Sequence, residues 1–383
     1  MITSALRDIY RINLGVRKNE RVLLFNDRIS ERENPSESDR ERRTRLRSLA
    51  LLAAETGEKL CASLTHFEYP AAGSHGEEPP GELWRLAFGD KAVRALREAR
   101  LFSLLLQKRA RERDIARAED IIREHCNSAV HCVIALSNYS TSHTRFRDFL
   151  TRICGCRYAS MPLFDVTMLE GAMNVDWKDL AKTTRELARA MGAAHSIRIK
   201  TKNGSLLGLS AKGRKVFADT GILRKRGAFG NLPAGEVFLA PVEGSARGRL
   251  VLEWGPTRQF SSPVVLTIQD GYITDITGTD EHAAYLRSKL SERKDNGNIA
   301  ELGIGTNRAA RRPDNILESE KIFGTVHIAL GDNSSFGGKV KTPFHQDYVF
   351  FHPTVTVIRG DGSRKLIVKS GQFVYSNGAD NKE

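Results

Sequence analysis

The stretch VVLTIQDGYITDITG (264–278) decides how the second half of the chain is read. Apolar and polar residues alternate on both sides of Asp270-Gly271, and such a pair suits a two-residue turn because both central positions take positive φ. A β-hairpin is predicted. The run FHPTVTVIRGDGSRKLIVKSG (351–371) repeats the pattern around Asp361-Gly362. One helical pattern, DEHAAYLRSKLSER (280–293), interrupts the short strands. Residues 191–383 are therefore expected to form a β-rich α+β domain.

Upstream the texture changes. RVLLFND (21–27), KLCASLT (59–65) and HCVIALS (131–137) read as strands, separated by a charged helix over about 39–55 and by helices near 90–99 and 111–125. Strands alternating with helices favour an α/β layer built on a largely parallel sheet. Helical patterns continue at 142–153 and 176–192, and the strand SIRIKT (196–201) follows. The boundary is placed near 190, with an α/β domain over 1–190 and the β-rich domain over 191–383. A chain of 383 residues also exceeds one ordinary core.

Hydrophobic residues make up 40% and charged residues 27%, a balance usual for a globular enzyme. No apolar run of 18 residues occurs, and the opening MITSALRDIYRINLG is an amphipathic, charged helical pattern. A cytoplasmic protein with no membrane partner is expected. The five cysteines, Cys61, Cys126, Cys132, Cys154 and Cys156, match neither a disulfide framework nor structural-zinc spacing, so reduced thiols are expected. The formal charge of +13 raises nucleic acid as a partner. Basic residues are interspersed with acids, however, and no recognition motif appears, so no nucleic-acid partner is expected.

The chemistry gathers in four apolar, glycine-flanked segments: NLPAGEVFLAP (231–241), NIAELGIGTN (298–307), GTVHIALGDN (324–333) and TPFHQDYVFF (342–351). They carry Glu236, Glu301, His327, and the pair His345 and Asp347. Burying an ionised carboxylate in an apolar strand is costly unless a cation meets it, and a metal ion satisfies several at once. His345 and Asp347, two positions apart, leave the same face of a strand. Imidazole and oxygen donors together suit zinc, cobalt, manganese or ferrous iron. Five protein ligands exceed the three of a typical catalytic zinc, which leaves room for two ions sharing a carboxylate.

These motifs, together with SHTRFRDF (142–149), RYASMP (157–162) and EKIFGTVHIALG (320–331), resemble in order those of the M29 family of metallo-aminopeptidases, the aminopeptidase T type. The resemblance implies a pair of divalent ions held by Glu236, Glu301, His327, His345 and Asp347, within a homodimer whose C-terminal domain encloses the site. It implies release of N-terminal residues from peptides by a water activated between two cations, with Glu301 as the expected bridging carboxylate and peptide or small-molecule substrates. Glu320 is the candidate general base, against the ordinary reading of a surface carboxylate before a strand. His352 is expected on the opposite strand face from the ligand pair, in a structural role. One position departs from the peptidases, which carry a tyrosine seven residues after the motif histidine where this chain has Ser334. The chain is also similar to relatives of M29 that act as dihydroxypyridine ring-cleaving dioxygenases with mononuclear Fe(II), the alternative reading. A metal-stabilised binding protein is the non-catalytic one.

Overall fold

The computed structural model describes residues 2–374. The chain divides into two compact units: Met1–Asn174 with Gly221–Pro233, and Val175–Thr220 with Ala234–Glu383. No helix among the described residues is long and apolar enough to cross a membrane.

In the first unit five parallel strands form one sheet in the order Ser63–Pro70, Arg21–Arg28, Cys132–Ala135, Arg157–Ser160 and Phe229–Asn231. Cys132–Ala135 is buried at every residue, as befits a parallel strand covered on both faces. Helices Glu37–Glu58, Asp90–Glu98 and Glu112–His125 form where the apolar spacing places them. Ser36 caps the first of these by accepting from the Asp39 amide. Helix Gly81–Phe88 escaped the sequence reading, since eight residues hardly repeat a 3.6-residue period. It supplies Trp84 and Phe88, which stack at 5.0 Å, while Phe146 and Phe149 meet the indole edge-on. The strand expected over 59–65 lies instead at Ser63–Pro70. It edges the sheet and is half exposed, so no apolar run marks it, and Leu60 still donates to Gly57 O in the helix's last turn.

The second unit is β-rich. An eight-stranded antiparallel sheet runs Tyr272–Thr277, Gln259–Gln269, Arg247–Trp254, Leu206–Ser210, Ser196–Lys200, Thr354–Ile358, Arg364–Lys369, Gln372–Phe373. Both predicted hairpins are present in it, and Asp270 and Gly271 have φ of 49° and 81°. A five-stranded antiparallel sheet runs His345–Phe350, Val326–Gly331, Ile299–Gly305, Glu236–Leu239, Phe217–Asp219. Residues from both sheets share one core, including Ile199, Leu250, Leu266 and Val357 from the larger and Leu302, Ile304, Ile328 and Tyr348 from the smaller. Helix Trp177–Met191, which the sequence reading counts with the first domain, belongs here because Leu187 and Met191 are buried in that core. Helix Glu281–Glu292 is capped by Asp280, which accepts from the His282 amide. The α/β first part and β-rich second part thus match the expected fold class.

Candidate metal centre

The smaller sheet of the second unit positions every candidate ligand. Its strands read E-L-G-I-G over 301–305 and H-I-A-L-G over 327–331, so one face receives the large apolar residues and the other the charged and small ones. Leu302, Ile304, Val326, Ile328 and Leu330 enter the core. On the opposite face each charged residue lies across from a small one: Glu236 from Gly305, His327 from Gly303, Glu301 and Asp347 both from Ala329, and His345 from Gly331. The small partners make room. A Cβ on Gly303 would lie 2.0 Å from His327 Nε2, so only glycine lets the imidazole cross the neighbouring strand.

Five residues spread over 112 positions of sequence, from Glu236 to Asp347, converge here. His327 Nε2 lies 3.2 Å from Glu236 Oε2 and 3.5 Å from Glu301 Oε1. His345 Nε2 lies 3.6 Å from Glu301 Oε2 and 3.5 Å from Asp347 Oδ2. Glu301 therefore stands between the two imidazoles. Three overlapping groups, Glu236–Glu301–His327, Glu301–His345–Asp347 and Glu320–His327–Asp347, each gather donor atoms within 4.8 Å. None of them includes a cysteine.

A divalent metal fits this donor set. Glu236 Oε2 is buried without a hydrogen-bond partner and faces an imidazole nitrogen, an arrangement a cation would satisfy. His345 Nδ1 donates to Asp332 O at 2.8 Å, which fixes the ring and directs Nε2 to the carboxylates. Burial opposes the charge on both imidazoles, but the carboxylates outweigh it. His327 is pushed up to about 9 by Glu301 and Glu236, and His345 up to about 10 by Asp347 and Glu301. Burial also raises the Glu301 carboxyl against the pull of the histidines. Protons thus neutralise the cluster in a metal-free chain, and a metal must displace them.

Lys321, given no role in the sequence reading, is a major component. It is 0% exposed, and its ammonium donates to Glu236 Oε1 at 2.7 Å and Glu320 Oε1 at 2.5 Å. Burial works against this charge and the two carboxylates more than offset it, so its pKa stands above that of an ordinary lysine. The sequence signal was a lysine between a glutamate and the apolar Ile-Phe that precedes a strand. Glu320 is itself buried, contrary to the surface reading, because Lys321 draws it inward. Ser334, at the family tyrosine position, is exposed, and its hydroxyl and amide bind the Asp332 carboxylate. His352 lies past the end of strand His345–Phe350, exposed at φ 50°, rather than on the strand's opposite face.

Fold and cluster together define a protein with an α/β unit and a β-rich unit whose small sheet presents imidazole and carboxylate donors for a metal. The chain belongs to the family described as NicX: 2,5-dihydroxypyridine 5,6-dioxygenase, whose model matches residues 166–375. A curated 2,5-dihydroxypyridine 5,6-dioxygenase from Pseudomonas putida (strain KT2440) is 28% identical over 190 residues, 44% of this chain. That match spans about half of the relative's length, 54%. The solved 2,5-dihydroxypyridine dioxygenase from Pseudomonas putida KT2440 shares the fold with a TM-score of 0.68 and 19% identity, over 98% of this chain and 97% of that one. AmpT from Thermus thermophilus shares it with a TM-score of 0.60 and 16% identity, over 98% and 99% of the two chains.

These matches overturn one expectation. The fold shared with AmpT holds, but the metallo-aminopeptidase assignment, and with it hydrolase and protease, is overturned, because the family and the curated relative both carry the description 2,5-dihydroxypyridine 5,6-dioxygenase. The serine at 334 agrees with that correction. Its hydroxyl is spent on Asp332, so it supplies no substitute for the peptidase tyrosine.

Proposed function

We propose that this chain is an Fe(II)-dependent dioxygenase that opens the ring of a dihydroxylated N-heteroaromatic compound of the 2,5-dihydroxypyridine type. The observation that carries the reading is the pair of histidines, His327 and His345, flanking Glu301 in a chain of this family. Two histidines with a carboxylate are the donor set of mononuclear non-haem iron oxygenases. His327, His345, Glu301 and Asp347 are the proposed ligands, with Glu236 beside them. Ferrous iron, when bound, supplies the one-electron chemistry that lets dioxygen react with a closed-shell aromatic ring. The protein's part is to hold the donors. Asp332 O fixes His345, Gly303 gives His327 its place, and the buried carboxylates set the charge that a cation must balance.

Both atoms of one dioxygen enter the ring-opened product, so one substrate consumes one O2 and no external reductant. The test is oxygen uptake by anaerobically purified, Fe(II)-loaded protein given 2,5-dihydroxypyridine. Uptake in a one-to-one ratio with loss of the substrate's ultraviolet band supports the reading. Iron-loaded protein that consumes no oxygen with this and related dihydroxypyridines refutes it. A cytoplasmic homodimer, with no nucleic-acid or membrane partner, completes the proposal and is tested by sedimentation of the purified chain.

A further inference from the structure

The charged face of the smaller sheet also carries an apolar patch. Phe217, Phe238, Gly303 and His327 lie in one row across four neighbouring strands. Phe238 is two residues from Glu236 and so leaves the strand on the same face. Its ring stacks on Phe217 at 5.2 Å and 16°, and Phe336 meets it edge-on at 5.7 Å. Phe336 also stands at right angles to the His345 imidazole, with 6.2 Å between centroids. We propose that Phe238 and Phe336 form a platform at the rim of the donor cluster that takes the flat ring of the substrate, and that Phe336 selects planar rings over saturated ones.

Three observations support this. First, these rings do not fill the core. Val237 and Leu239 enter it, whereas Phe217, Phe238 and Phe336 are only half-buried, which leaves apolar surface beside a polar cluster for a ligand to cover. Second, the rings reach the donors. With no side chain at Gly303, His327 crosses that strand and comes within 3.2 Å of Glu236, two residues before Phe238, while Phe336 spans from Phe238 to His345. Third, the loop bearing Phe336 is fixed. Arg214 donates to Gly337 O and to Glu243, and Glu243 accepts from the Lys339 amide at 2.7 Å. Asn333, 0% exposed, accepts from the Val340 amide through Oδ1 and from the Gly338 amide through its carbonyl, each at 2.9 Å. A ring held in place beforehand loses little freedom when a ligand stacks on it. Phe217 is the backing ring, with Phe238 stacked on it and Lys215 Nζ 4.7 Å from its centroid.

The inference rests on the ring-cleavage reading above, but its test needs no turnover. Fe(II)-loaded protein under argon is titrated calorimetrically with 2,5-dihydroxypyridine and with 5-hydroxypiperidin-2-one, which keeps the heteroatoms and loses planarity. The wild type is expected to bind the flat ring about tenfold more tightly, through two aromatic contacts. Phe336→Leu and Phe238→Leu should each weaken the flat ring about 3–10-fold, leave the saturated one unchanged and keep the iron content, and Phe336→Trp should retain the preference. A wild type without preference, or variants that lose both ligands equally or neither, overturns the proposal. Should the leucine variants not fold, Phe336→Trp decides it: quenching of indole fluorescence by 2,5-dihydroxypyridine beyond that of the wild type supports the platform, and none refutes it. Selective ring binding without oxygen uptake in air sinks the dioxygenase reading alone; oxygen uptake with unaltered leucine variants sinks the platform alone.

Discussion

Replacing Gly303 with alanine tests whether the small residues of the site face exist to accommodate the imidazoles. The added Cβ would lie 2.0 Å from His327 Nε2, 2.1 Å from Cε1 and 2.8 Å from Cδ2. Gly303 does not sit at positive φ, so the backbone tolerates the methyl group and the conflict is with the ring alone. Moving Nε2 from 2.0 Å to an ordinary 3.4 Å contact shifts it by about 1.4 Å. Metal–ligand distances tolerate about 0.2 Å, so His327 is lost as a donor. A weakening of divalent-metal binding by at least about 10–100-fold follows, as when a ligand's orientation is lost. Overpacking also lowers the stability of the metal-free chain by roughly 1–3 kcal/mol. The assay is calorimetric titration of stripped protein with Co2+, with urea unfolding in chelator. Gly360→Ala is the control, since its Cβ meets nothing nearer than 3.8 Å. Co2+ binding by Gly303→Ala within threefold of wild type would refute the reasoning.

Three further outcomes are expected. Burial alone would raise the Glu33 carboxyl, but Arg43, the Ser30 amide and the Tyr139 hydroxyl outweigh it and hold it at about 2 against an ordinary 4.5. A depressed carboxyl stabilises the fold above its ordinary pKa and loses that contribution as pH falls from 4.5 toward 2, so Glu33→Gln should lower the urea midpoint at pH 7 and converge on wild type near pH 2; equal losses at both ends would contradict this. Arg157 is buried, bonded to Glu20 at 2.5 Å and to Gly15 O at 3.0 Å, so Arg157→Met should cost about 3–5 kcal/mol through the stranded Glu20 carboxylate, and a cost under about 1 kcal/mol in urea unfolding would rule that out. Ser334→Ala removes an exposed hydroxyl bonded to Asp332 and should cost about 0.5–1.5 kcal/mol with metal content unchanged; loss of metal on elemental analysis would show that the hydroxyl serves the site.

The second half of the fold was legible because its signals are local. Asp270-Gly271 fixes its hairpin turn by positive φ at both residues, Gly362 alone takes positive φ in the loop of the other hairpin, and Asp280 announces a helix through its cap. The convergence of Glu236, Glu301, His327, His345 and Asp347 was legible through strand periodicity, since charged and small residues share one parity and large apolar ones the other. Signals that depend on distant partners failed. The edge strand Ser63–Pro70 is half exposed and lacks an apolar run, and helix Trp177–Met191 joins its unit through core contacts that no spacing encodes.

The expectation of a second ion rested on a signal of the same kind. Sequence reasoning recognised that Glu236 in an apolar strand requires a positive charge, and a second metal ion was the simplest source. The chain carries another source 85 positions away, in a lysine whose neighbours give no hint of its partner. A buried carboxylate is evidence for a cation and says nothing of whether that cation is bound or covalently attached. Electrostatically the two are alike, since each satisfies the carboxylate's lone pairs. Chemically they diverge, because an ammonium at full burial offers no open coordination position and polarises no water.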